Sequence, residues 1–153
     1  MIEAWRLLKH RFLKHAFDGE GARLYGGRWN SPGSPVIYCS ATASLVVLEV
    51  FANVQRADLA QEYVLIACSF SASLVEIVQT ESLPRDWRRS PAPAALQALG
   101  DQWLREARSL VLKIPSAIIE HESNYLINPK HPSFRRLKRR KPVRFTFDLR
   151  LVR

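Results

Sequence analysis

Apolar and polar positions alternate most regularly near the C-terminus. There Val143, Phe145, Phe147, Leu149 and Leu151 are interleaved with Arg144, Thr146, Asp148 and Arg150. A period of two predicts a strand over 143–151. Residues 36–39 are β-branched and aromatic and predict another strand. Residues 63–70 (YVLIACSF) read as a buried strand, and 73–78 (SLVEIV) as an alternating one. Residues 111–114 form a short strand ended by Pro115, and 117–119 (AII) extend as a further strand after it. Helical spacing appears twice. In ATASLVVLEVFANV, Leu45 and Leu48, and Val46 and Phe51, share faces, with Ser40 or Thr42 as the N-cap. Residues 96–110 carry Leu96, Leu99, Trp103 and Leu104, opening near Pro93. Residues 1–15 fit a strand, a helix, or one running into the other.

Between these lie segments that read as loops. Residues 17–35 (FDGEGARLYGGRWNSPGSP) hold five of the six glycines and two prolines. Long structured loops are often functional. LPRDW at 83–87 reads as a turn and HESNYLINPKHP at 121–132 as a polar loop. The sum is mixed α and β with strands in the majority. It lacks a regular βαβ alternation, which argues against a doubly wound sheet.

Composition sharpens this. The 153 residues are 47% hydrophobic and 24% charged, which fits one globular domain over 1–153 and argues against disorder and coiled coil. No apolar run approaches a membrane span, and the charged N-terminus has no signal-peptide core, so a cytoplasmic protein is expected. The net charge of +9 is concentrated in 135–153 (RRLKRRKPVRFTFDLRLVR), which holds nine basic residues and one acid. The rest is nearly neutral, which weakens the case for a domain built around nucleic acid. Cys39 and Cys68 sit in strand-like runs without CxxC spacing and read as small buried side chains. The four histidines show no metal-ligand spacing.

Four groups of residues can carry chemistry. In GARLYGGRWNS, glycines permit close approach to a phosphate, Arg28 offers a bidentate fork, and Tyr25 and Trp29 offer stacking surfaces. The spacing matches neither a P-loop nor GxGxxG, and on composition alone a tight turn is the simpler reading. Tyr38 can wall a pocket. Glu49 stands among Val46, Val47, Leu48, Val50 and Phe51, where a carboxylate is costly unless paired or used. Ser116 follows a proline at a strand end, with Asn124 and Asn128 nearby in sequence, and no GxSxG elbow is present. The basic C-terminal segment suits an acidic partner, nucleic acid, or a strand edge protected by charge.

Taken in order, FDGEGARLYGGRWNSPGSPVIYCS (17–40), SLVVLEV (44–50), LPRDWR (83–88), GDQWL (100–104), KIPSAIIEHESNYLINPKHPSF (113–134) and FTFDLRL (145–151) resemble the RES domain family. Those proteins are toxins of bacterial toxin–antitoxin systems. The Arg, Glu and Ser of the family name correspond to Arg28, Glu49 and Ser116. The resemblance implies an α/β (α+β) fold of mixed, mainly antiparallel strands with flanking helices, similar to ADP-ribosyltransferases. It implies NAD as substrate, cleaved at the nicotinamide–ribose bond by phosphorolysis or hydrolysis, with inorganic phosphate as possible co-substrate and no metal.

By the same resemblance Glu49 stabilises the cationic ribose, Arg28 and Arg6 hold phosphate groups, and Tyr38 packs on nicotinamide. Gly27 lies in the binding loop, and Ser116 and Asn124 hydrogen-bond ribose or carboxamide. The implied partner is an Xre-type helix-turn-helix antitoxin, around a homodimer of this chain. Two alternatives stand beside this: an ADP-ribosyltransferase acting on a host protein, and a nucleic-acid-binding module using 135–153. The basic tail exceeds what the family leads one to expect.

Overall fold

The computed structural model describes residues 1–151; Val152 and Arg153, the last two positions of the basic tail, lie outside the described residues. The chain runs β1 (Ile2–Lys9), α1 (Glu20–Tyr25), β2 (Ile37–Ser40), α2 (Ala43–Asn53), β3 (Tyr63–Phe70), β4 (Val75–Ile77), α3 (Ala94–Glu106), β5 (Val111–Pro115), β6 (Ser123–Ile127), β7 (Lys138–Arg139) and β8 (Val143–Phe145), with short 3-10 turns between several of them. The strands form one sheet in the order β4-β5-β6-β2-β1-β3-β7, and β8 also pairs with β3. Every pairing is antiparallel except β4 with β5. The strand-rich mixture read from the residues, and the mainly antiparallel sheet that the family resemblance implies, are both observed.

The two faces of the sheet carry different cores, because successive side chains point to opposite sides. One face is a continuous cluster that includes Ala4, Leu8, Ile37, Cys39, Ile66, Cys68, Tyr125 and Ile127. The other face holds two separate clusters. Trp29, Trp87, Leu96, Trp103, Leu112, Ile114 and Leu126 form one beneath α3. Leu7, Val46, Tyr63 and Phe147 form the other beneath α2. A cavity opens on the same face, with Ile114 of the first cluster and Leu7 and Val46 of the second among its walls.

Local chemistry explains the boundaries. Thr42, not Ser40, caps α2: its hydroxyl accepts from the Leu45 N–H at 3.0 Å. Helix α3 ends at Glu106, short of Leu110, because Ala107 turns into the left-handed region at φ 48°. Residues 1–15 are a strand followed by a 3-10 turn.

Several sequence expectations fail. The 17–35 loop contains α1, a short helical segment whose end is closed by the Gly26 N–H donating to the Ala22 carbonyl at 2.8 Å. Residues 117–119 are bends rather than a strand, since Ser116 turns the chain by accepting from the Ile118 and Ile119 amides. The supposed loop at 121–132 contains β6, which pairs with both β2 and β5 in the middle of the sheet. The strand over 143–151 stops at Phe145. Phe147 then leaves the sheet to meet Tyr63 edge-on at 5.1 Å, and Asp148 closes a turn on Arg150. In 73–78 only Val75–Ile77 is strand. Among the described residues no helix is long and apolar enough to cross a membrane.

Candidate active site

The cavity, about 1040 Å³, is at the upper end of the range that small-molecule sites occupy. Helix α2 delivers Glu49 to it, β2 delivers Tyr38 and Ser40, β6 delivers Asn124, and the loop after α1 delivers Gly27 and Arg28. Arg6 of β1 and Arg88 complete its cationic lining. The sequence placed these residues far apart, and the fold brings all of them to one space.

Glu49 is held by two donors on one oxygen. Ser116 Oγ donates to Oε1 at 2.8 Å and Asn124 Nδ2 donates to the same atom at 2.7 Å. Oε2 has no protein donor among the described residues. Ser116 is fully buried and stands behind Glu49 rather than on the cavity wall. Its donor is spent on Glu49, and its lone pairs accept from the Ile118 and Ile119 N–H groups at 3.1 Å each. The geometry therefore gives Ser116 contact with the carboxylate.

Arg28 Nη1 donates to the carbonyls of Trp87 (3.1 Å) and Arg89 (2.8 Å), which ties the 83–91 segment to the glycine loop. Nε and Nη2 have no protein acceptor among the described residues. Burial holds the Arg28 pKa below its ordinary value, with Glu49 and Tyr38 acting in the opposite sense. Arginine stays charged regardless. Arg6 donates from Nε to the Ala16 carbonyl at 2.9 Å and from Nη1 to the Tyr38 carbonyl at 3.2 Å. Burial lowers its pKa, and the nearby Cys39 and Asp18 raise it. Arg88 reaches across to the carbonyls of Ala117 and Ile118.

Tyr38 is locked by its hydroxyl, which donates to Asn30 Oδ1 at 2.7 Å and accepts from the Trp29 N–H at 3.0 Å. Burial pushes its pKa well up. The group is thus a fixed wall and not a proton source near neutral pH. Gly27 is required beside it: a Cβ there would lie 2.6 Å from the Tyr38 hydroxyl.

Sequence reasoning missed the frame around this loop. Asn30 is fully buried and its Nδ2 donates to the Ala22 and Ser31 carbonyls, at 2.9 and 3.2 Å. Gln97 donates to the carbonyls of Gly27 and Asn30, and Asp101 accepts from the Ser31 N–H at 2.9 Å. The signal available was the spacing of Gln97 and Asp101, i and i+4 on one face of α3. The sequence offers Ser40 only as a helix cap. It is instead a buried hydroxyl donating to Asn124 Oδ1 at 2.6 Å.

A family model described as the RES domain matches residues 3–148. The chain belongs to the RES domain family. "Toxin Res" of Yersinia enterocolitica is 36% identical over 148 residues, covering 96% of this chain and 97% of the relative. A "Prs ADP-ribosylating toxin" of a Sphingobium strain is 30% identical over 154 residues, covering 97% of this chain and 96% of that protein. Among solved structures, a chain of the M. tuberculosis MbcT-MbcA toxin-antitoxin complex superposes with a TM-score of 0.76 at 24% identity. The match covers 94% of this chain and 84% of that one. The architecture of this RES domain is thus shared with a toxin of known structure.

Proposed function

We propose that this RES domain is the toxin of a toxin–antitoxin pair and that it degrades NAD+ in the cytoplasm by breaking the nicotinamide–ribose bond. The observation that carries the reading is Glu49. Its Oε1 is pinned by Ser116 and Asn124, its Oε2 is left without a protein donor, and Arg6, Arg28 and Arg88 line the same cavity. Guanidinium groups suit a pyrophosphate, and a fixed carboxylate suits a developing cation.

In this reaction the bond between ribose C1 and the nicotinamide nitrogen breaks, and its electron pair leaves with nicotinamide, which becomes neutral. Positive charge passes to the ribose, where Glu49 stabilises it. An oxygen of phosphate or water then bonds to C1; water also releases a proton. Arg28 holds the pyrophosphate or the incoming phosphate in line, and the Tyr38 ring packs on nicotinamide. Arg6 is a second phosphate ligand, Gly27 lines the binding loop and leaves room for the Tyr38 hydroxyl, and Asn124 donates to both Glu49 and the ribose. Ser116 acts through Glu49. An Xre-type antitoxin and a homodimeric toxin complete the assembly.

A second reading is supported by the name of the Sphingobium relative: transfer of ADP-ribose to a protein. Phosphorus NMR of the protein with NAD+, with and without inorganic phosphate, separates the outcomes. Phosphate-dependent ADP-ribose-1″-phosphate supports phosphorolysis, and phosphate-independent ADP-ribose supports hydrolysis. NAD+ intact in both samples, with label from NAD+ appearing on protein in a cell extract, replaces the proposal with the transferase reading.

A further inference from the structure

Strand β2 ends at Ser40, and Ser40 lies directly opposite Asn124 of β6 in the antiparallel register. Directly paired residues share a face of the sheet with their Cβ atoms close together. Ser40 is 2% exposed, and its hydroxyl donates to Asn124 Oδ1 at 2.6 Å, while Asn124 Nδ2 donates to Glu49 Oε1 at 2.7 Å. A primary amide has one acceptor end and one donor end, and rotation by half a turn exchanges them. An ionised carboxylate only accepts, so Asn124 serves Glu49 only with its NH2 end turned toward it.

We infer that Ser40 is a positioning residue that anchors the far end of the Asn124 amide, so that the side chain stays in place against Glu49, whose acceptor-only carboxylate sets which end faces it. The inference rests on the NAD+-cleaving reading of the cavity. During that reaction Glu49 is drawn toward the ribose, and its own hold on Asn124 weakens. Ser40 keeps the far end of the amide engaged through that moment, so the Asn124 side chain stays in reach of the carboxylate as a preorganised donor. The chain Ser40–Asn124–Glu49–Ser116 thereby joins β2, β6, α2 and the turn after β5 through four side chains.

The test uses the full chain with NAD+ as probe and Ser40→Ala as the main variant. Loss of one positioned hydrogen bond is expected to lower kcat about tenfold while KM stays within about twofold. In an Asn124→Ala background the same substitution lowers kcat no further, because the partner through which Ser40 acts is gone. Ser40→Cys keeps nearly the same volume with a much weaker donor, so a shared loss at unchanged melting temperature rules out a packing defect.

An activity-independent arm reads the Asn124 side-chain NH2 resonances by nitrogen-edited NMR, assigned by their loss in Asn124→Ala. They form a sharp, separate pair in the wild type and broaden in Ser40→Ala. Wild-type kcat in Ser40→Ala, a further loss in the Asn124→Ala background, or an unchanged amide pair overturns the inference. A wild type that leaves NAD+ intact overturns the reading of the cavity instead, since the amide arm needs no substrate.

Discussion

At the scale of the residue, the proposed reaction calls on the charge of Glu49 more than on its shape. Glu49→Gln keeps an oxygen that accepts from Ser116 and Asn124 but removes the charge that would face the cationic ribose. NAD+ turnover is expected to fall at least about a hundredfold, with the melting temperature nearly unchanged. Full turnover in Glu49→Gln would remove the carboxylate from the mechanism. Gly27→Ala acts differently: its Cβ would meet the Tyr38 hydroxyl and zeta carbon at 2.6 and 2.9 Å. Overpacking of this kind costs about 1–3 kcal/mol, and it breaks the Tyr38–Asn30 bond, so stability in urea and turnover both fall. Arg28 among glycines and Glu49 in an apolar helix stood out as candidates by residue type, and Tyr38 as a pocket wall, but their local sequence left a plain turn and a paired surface acid open, and only the family resemblance gave the three a common role. Asn30 and Ser40 did not stand out, because their work is relational. Ser40 meets its partner 84 residues away, and nothing near it in the chain announces Asn124.

At the scale of the element, α2 and α3 aim the site, and each has one sensitive point. Thr42→Ala removes the N-cap of the helix that carries Glu49 and is expected to cost about 1 kcal/mol in denaturant unfolding. Gly100 is where α3 crosses the loop: a Cβ there would stand 1.7 Å from the Trp29 carbonyl oxygen, a backbone atom that cannot swing aside. Gly100→Ala should therefore displace α3 together with Gln97 and Asp101, costing at least about 3 kcal/mol. Circular dichroism melts check both, and a Gly100→Ala protein as stable as wild type would contradict the packing. Helices α2 and α3 were legible from their apolar spacing, and β2, β3 and β5 from their β-branched, apolar runs, whereas α1 lay hidden in a glycine-rich segment that reads as loop. Strand β6 was not legible either. Its apolar run is only Tyr125, Leu126 and Ile127, preceded by Ser123 and Asn124 and followed by two prolines nearby, so it reads as loop. Its polar end faces the cavity, where Asn124 donates to Glu49. The C-terminal alternation misled in the opposite direction: a perfect period of two persisted past the point where Phe147 turned into the aromatic cluster with Tyr63 and Phe145.

At the scale of the whole molecule, the excess of positive charge is partly built into the fold. The Arg139 guanidinium lies 4.9 and 5.3 Å from the ring centres of Phe17 and Phe134, Arg140 pairs with Glu3, and Arg144 pairs with Glu62. These contacts staple the basic segment across the edge of the sheet. Acids elsewhere do comparable work: Lys9 of β1 donates to Asp58 at 2.7 Å, and this bond is the main reason the Asp58 carboxyl titrates below its ordinary value. Glu20 is lowered by Arg23, Glu106 by Gln102 and Arg108, and Asp148 by Arg150. A depressed carboxylate pKa means that the unfolded chain binds protons before the native one does as pH falls. The stability these groups contribute is therefore fully present above the unfolded carboxylate range near pH ~4 and is lost as pH drops through the folded values. Each proton taken up also adds to a net charge that already stands at +9, so self-repulsion acts in the same direction. The melting temperature is expected to be flat between about pH 5 and 7 and to fall steeply below about pH 4, and Asp58→Asn should show a shallower fall from a lower plateau. A melting temperature that rises on acidification, measured by calorimetry at fixed ionic strength, would show that these pairs do not stabilise the native state.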